Sequence, residues 1–138
     1  AIGAQTAKLD KKVINIAGDG SVHMNCNELS TAANYNIPVV ELIFNNSVLG
    51  MVHQWQKLFY QNRFSETNLD KTTNFEMLAN AFGVKAFTIT KREDIEPVLK
   101  EALELNEPVV INCLINPDYN VLPMVPAGGS VEAPILEM

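Results

Sequence analysis

VINIAGDGSVHMNCNELSTAANYNIPVVELIFNNS, residues 13–47, holds two short apolar runs, Val13 to Ala17 and Val39 to Phe44, both rich in β-branched residues. Runs of this length bounded by charge, glycine or proline read as buried strands. The first ends at Gly18-Asp19-Gly20-Ser21, which reads as a turn. The second is opened by Pro38 and closes in the polar cluster Asn45-Asn46-Ser47. Between them a helix is expected from Asn25, its cap, with Glu28 in the first turn, where a carboxylate suits the helix dipole. Leu29, Ala32 and Ala33 give that helix its core spacing. Strand, helix and strand together make a βαβ unit with parallel strands and a right-handed crossover.

Outward from this unit the pattern continues. Leu49 to Tyr60 reads as a helix, residues 61–74 as a polar loop, and Phe75 to Phe82 as a short helix ended by Gly83. A strand over Lys85 to Ile89, a charged helix over Glu93 to Leu105 and a strand over Val109 to Leu114 follow. From Asn116 the chain carries prolines and Gly128-Gly129 and reads as irregular. Ala1 to Leu9 has the pattern of the latter part of a helix, so a fragment of a longer chain is expected. The alternation places the chain in the α/β class, an open, mostly parallel sheet flanked by helices, as one domain over residues 1–138.

The 138 residues carry a net charge of −6, with 47% apolar and 19% charged side chains, which fits a globular fold with a real core. This acidic balance argues against nucleic acid or an anionic membrane as partner, since both need a basic face. No apolar run approaches a membrane span. Cys26 and Cys113 stand alone, without a zinc-type pair, and read as reduced thiols of a cytoplasmic protein. The sequon Asn45-Asn46-Ser47 is discounted on the same ground.

In open α/β sheets ligands sit at the carboxyl ends of the strands. If the two runs of residues 13–44 are neighbours, Asp19 between its glycines and the Asn45-Asn46 pair meet there. Gly18 and Gly20 allow close approach of the backbone to a ligand. Asp19 and Asn46 offer hard oxygens, and together with a backbone carbonyl and phosphate oxygens they make a set that suits Mg²⁺. The ion would supply the positive charge this acidic chain lacks. There is no GxxxxGK[ST] and no GxGxxG, so neither a P-loop nor an ordinary dinucleotide fingerprint is present.

A strand, Gly18-Asp19-Gly20, about two dozen residues and then Asn45-Asn46 resembles the thiamine diphosphate motif of thiamine-dependent decarboxylases and carboligases. GDGSVHMNCNELSTAANYNIPVVELIFNNSVLGMVHQWQKLFY is similar, almost position by position, to the catalytic large subunits of acetolactate synthase (acetohydroxyacid synthase). RFSET, NFEMLANAFGV, REDIEPVLKEAL and NVLPMVPAGG continue the similarity over essentially the whole chain, and LGMVHQWQ is its most specific piece. The resemblance implies a C-terminal, pyrophosphate-type domain that binds thiamine diphosphate. It implies metal binding by Asp19, Asn46 and the carbonyl of Val48, with Gly18, Gly20 and Ser21 against the diphosphate. Gly50 and Met51 would wall the cofactor pocket, and Trp55 would line the second-substrate site and favour 2-ketobutyrate as acceptor. From spacing alone, Met51, Trp55 and Phe59 read as the apolar, core-facing side of a helix.

The implied reaction condenses two pyruvates to 2-acetolactate and CO₂, or pyruvate with 2-ketobutyrate, in branched-chain amino-acid biosynthesis. By the same resemblance, FAD binds on a domain outside these residues, and a neighbouring subunit supplies the carboxylate that activates the cofactor. A homodimer or higher assembly, a possible small regulatory subunit and no activity of residues 1–138 alone are then expected. In relatives the tail can fold over the active site, but Val131 to Met138 match nothing strongly. The alternatives are another thiamine enzyme of pyruvate oxidase or glyoxylate carboligase type, a non-catalytic interaction module, or a Mg²⁺-dependent phosphatase. Trp55 and LGMV speak against the first, and the third lacks a second acidic loop or a nucleophile. His23 and His53 have no Cys, Ser or carboxylate partner at motif spacing and read as surface or locally hydrogen-bonded residues. Glu41, inside an apolar strand, calls for an edge position or a partner.

Overall fold

The computed structural model describes residues 1–69 and 73–137. Two compact units form, Ala1–Asn46 with Lys71–Ile115, and Ser47–Asp70 with Asn116–Met138. In the first, strands β1 (Ile14–Gly18), β2 (Val40–Asn45), β3 (Lys85–Ile89) and β4 (Val109–Leu114) make one sheet in the order β1-β2-β4-β3. All three pairings are parallel, with Ile14 opposite Val40 and Val40 opposite Val109. The expected class and the expected neighbourhood of the first two strands are what the structure has.

Helices cover both faces, as parallel strands require. Against one face pack α2 (Asp19–Asn25), α3 (Glu28–Asn34) and α5 (Phe75–Ala81), through Val22, Leu29, Phe75 and Ala79 onto Ile43 and Val110. Against the other packs α6 (Ile95–Glu104), through Val98, Leu99 and Ala102 onto Val40, Val109 and Ile111. The Asn74 side chain caps α5 by accepting from Met77 N at 2.9 Å, and Gly83 follows in the left-handed region at φ 75°. Helix α1 (Ile2–Ala7) is tied to β1 by Gln5, which is 1% exposed. Its Nε2 donates to the carbonyls of Lys8 (3.1 Å) and Lys11 (2.7 Å), and its Oε1 accepts from Val13 N at 2.8 Å.

Three sequence expectations need correction. Val13 to Ala17 is not a strand buried on both sides here: among the described residues β1 is at the edge of the sheet, and Ile14 and Ile16 are 43% and 64% exposed. A β-branched run reports strand preference without reporting how many layers cover it. Residues 18–21 are not a free turn. Gly18 is extended, and Asp19 opens α2, whose first turn suits its carboxylate and whose Val22 is buried on the sheet. The helix start expected at Asn25 is instead the end of α2; α3 begins at Glu28 with Asn27 at its N-cap position.

In the second unit α4 (Gly50–Phe59) follows the segment Ser47–Leu49. Val48 and Asn68 form an isolated antiparallel bridge. The tail is irregular, as expected, with one bridge between Met124 and Ile135. Gln54, 3% exposed, holds Val121 on both sides, donating to its carbonyl at 3.0 Å and accepting from its N–H at 2.7 Å. Among the described residues no helix is long and apolar enough to cross a membrane.

Candidate functional site

β1 and β2 run side by side and end together, with Gly18 opposite Phe44. Asp19 and the Asn45-Asn46 pair therefore leave the sheet at the same carboxyl end, on adjacent strands. Asp19 is 4% exposed, and its Oδ1 accepts from Gly20 N at 2.9 Å. The two asparagines divide their work. Asn45 ends β2, is buried, and donates from Nδ2 to Asn112 Oδ1 at 3.1 Å, fastening the strand end to β4. Asn46 is the first residue beyond the strand and is half-buried.

Gly18 and Ser21 line a groove of about 560 Å³, with Asn15, Glu41, Cys26 and Leu29 among its other walls. The backbone does not demand glycine at position 18: φ is −81°, and an added Cβ would come no nearer than 4.0 Å to Phe44 O. What a side chain there would occupy is groove, which suits close approach of a ligand to the backbone. Glu41 lies on β2, an interior strand, so the edge explanation fails and the partner explanation holds. Asn15, directly opposite on β1, donates from Nδ2 to both of its carboxylate oxygens at 3.0 and 2.8 Å. Burial pushes its carboxyl above the ordinary value, against a smaller pull from the Asn15 hydrogen bonds.

Among the described residues no three His, Cys, Asp or Glu side chains gather as a metal cage. An ion held here depends on one carboxylate, amide and carbonyl oxygens, and oxygens of its own ligand. That donor set fits Mg²⁺ carried on a diphosphate and suits poorly a metal bound by protein alone. Asp19 and Asn46 thus fit the group the sequence pattern implies.

Val48, Gly50, Met51, Trp55 and Phe59 lie in the second unit. Val48 is buried, and Gly50 starts α4. Met51, Trp55 and Phe59 are 48%, 41% and 47% exposed, so this helix face is not core, contrary to its spacing. Trp55 meets Phe59 edge-on at 6.1 Å. The buried side chain of α4 is Gln54, which no periodicity marks. Both histidines fit the expected reading of surface position or hydrogen bonding: His23 is exposed, and His53 is bonded to Thr67. His23 stacks on Phe75 and pairs through Nε2 with Thr73 Oγ1 at 2.6 Å; His53 stacks on Phe64 at 4.2 Å. Glu28 opens α3 and accepts from Thr31 Oγ1 at 3.0 Å. Sequence reasoning missed Gln5, Gln54 and Thr67, all nearly fully buried. Gln54 and Thr67 become structural through partners brought in by folding, and Gln5 through backbone groups of the bend that follows α1, so no periodicity names them.

Residues 1–113 match the family described as thiamine pyrophosphate enzyme, C-terminal TPP binding domain. The chain belongs to this family. The thiamine pyrophosphate enzyme fold is also seen in a solved relative, a Rhodococcus jostii thiamine diphosphate-dependent 4-hydroxybenzoylformate decarboxylase. It superposes with a TM-score of 0.78 at 33% identity, over 84% of this chain and 22% of that one. Within the thiamine pyrophosphate enzymes the chain is 49% identical over 129 residues to a probable acetolactate synthase large subunit of Methanocaldococcus jannaschii, covering 94% of this chain and 22% of that protein. It is 42% identical over 130 residues to the acetolactate synthase isozyme 2 large subunit of Escherichia coli, covering 94% and 24%. The chain thus spans about a fifth to a quarter of the length of these curated relatives.

Proposed function

We propose that the chain is the cofactor-binding part of an acetolactate synthase, which condenses pyruvate with a second 2-keto acid and releases CO₂. The observation that carries this reading is the common exit of Asp19 and Asn46 from the carboxyl ends of β1 and β2. The extent of identity to large subunits supports it. Asp19 and Asn46 would supply side-chain oxygens to Mg²⁺, joined by the Val48 carbonyl two residues further along. Gly18, Gly20 and Ser21 let the diphosphate lie against the backbone, so that binding energy from the phosphate end orients the reactive end. When bound, thiamine diphosphate supplies the carbanion chemistry that loss of CO₂ and carbon–carbon bond formation require. Gly50 and Met51 wall the pocket and exclude water, and the exposed indole of Trp55 contacts the acceptor keto acid.

Other parts of the proposal lie outside these residues: FAD on another domain, a dimer or larger assembly, and a small regulatory subunit. Cys26 and Cys113 are both free, which suits a cytoplasmic setting. The test is calorimetric titration of thiamine diphosphate, with Mg²⁺ and then with EDTA, into an acetolactate synthase large subunit carrying this chain. Binding should require the metal. Asp19→Ala should weaken it beyond the roughly 100-fold that bounds losses from outer partners of a metal site. Equal affinity in Asp19→Ala would refute the assignment.

A further inference from the structure

The segment that follows Asn46 is not an unsupported loop. Leu69 N donates to Ser47 O at 2.8 Å, and Leu49 N donates to Thr67 O at 2.8 Å, on either side of the Val48–Asn68 bridge. In a trans peptide the carbonyl points opposite to the N–H of the same plane. The Leu49 N–H bond therefore sets the direction of the Val48 carbonyl, turning it away from residues 67–69. Ser47, immediately before these two peptide planes, sits in the left-handed region at φ 58°, a conformation that needs outside support in a residue with a Cβ.

Thr67 anchors that support. It is 2% exposed, and its hydroxyl lies 3.3 Å from His53 Nδ1 and donates to Gln56 Oε1 at 3.4 Å. With the hydroxyl proton directed at Gln56, the bond from His53 runs from Nδ1–H to the threonine oxygen. Gln56 in turn accepts from Ser65 N and donates to Ser65 O, both at 3.1 Å, and His53 stacks on Phe64. One turn of α4 thus clamps residues 64–67, and Thr67 passes that constraint through its carbonyl to the Val48–Leu49 peptide.

We propose that Thr67 is a positioning residue for the metal, aiming the Val48 carbonyl through the Leu49 N–H bond. This rests on the proposed Mg²⁺–diphosphate site. The test uses a large subunit carrying this chain, with wild type, Asp19→Ala, Thr67→Val and Thr67→Ser compared. Calorimetry measures Mg²⁺ affinity in the presence of thiamine diphosphate, and hydrogen exchange of the Leu49 amide is followed without metal. Thr67→Val keeps the shape and loses the hydroxyl. It should weaken Mg²⁺ binding about tenfold, the usual scale for an outer partner of a metal site, and speed Leu49 exchange. Thr67→Ser should restore both, which a general loss of packing would not allow.

Wild-type Mg²⁺ affinity in Thr67→Val overturns the inference, as does a weakened affinity with Leu49 exchange unchanged. Should Thr67→Val fail to fold, His53→Phe keeps the stack on Phe64 and removes the ring nitrogen, and must show the same paired change. Failure of wild type to bind, or full binding by Asp19→Ala, would instead strike the site itself.

Discussion

Replacing Gln5 by methionine keeps the approximate volume of a side chain that is 1% exposed and removes three hydrogen bonds at once. A net contribution of about 1 kcal/mol for each would give about 3 kcal/mol. Two of the groups left behind are compensated in part. The Lys8 carbonyl keeps the Lys11 N–H at 3.3 Å, and Lys8 and Lys11 are exposed, so water reaches this turn. The Val13 N–H, at the half-buried entry to β1, bears the greater cost. The expected loss is therefore about 2 kcal/mol. Urea unfolding followed by circular dichroism reads it: with a slope of about 2 kcal/mol per molar, the midpoint falls by about 1 M. A fall below about 0.3 M, with the slope unchanged, would refute the claim that Gln5 fastens α1 to the strand that delivers Asp19.

Glu41→Gln should remove a pH dependence. Burial raises the Glu41 carboxyl above its ordinary 4.5, so the folded chain holds a proton that the unfolded chain has released, and this residue's contribution falls as pH rises from that value. Glu41→Gln should therefore gain on wild type between about pH 4 and pH 7 in urea midpoints, and parallel profiles would contradict the assignment. Asn74→Ala removes the acceptor of the Met77 N–H at the start of α5 and should cost about 1 kcal/mol in the same assay, with Asn74→Asp largely retaining the cap.

Much was legible in the sequence because it is local. Two β-branched runs around a helix imply parallel strands, since the crossover allows little else. Lys85–Ile89 and Val109–Leu114 were readable to the residue because charge, glycine or proline bounds them. The motif Gly18-Asp19-Gly20 with Asn45-Asn46 pointed to a candidate site because both pieces lie where strands end, the position where an open sheet presents its ligand groups. Sequence also separated this pattern from P-loop and dinucleotide folds.

Only the tertiary structure decided what depends on distant partners. It placed β1 at the edge and left Ile14 and Ile16 exposed, since strand propensity does not encode sheet order. The exposure of Met51, Trp55 and Phe59 was likewise its decision, because a four-residue spacing states which side chains share a face and not what covers it. Glu41 acquired Asn15 as partner across the β1–β2 pairing, and Asn45 acquired Asn112 across the β2–β4 pairing. Thr67 and Gln54 drew their importance from neighbours brought in by folding: the bond a polar group makes is set by the backbone around it, not by its place in the sequence.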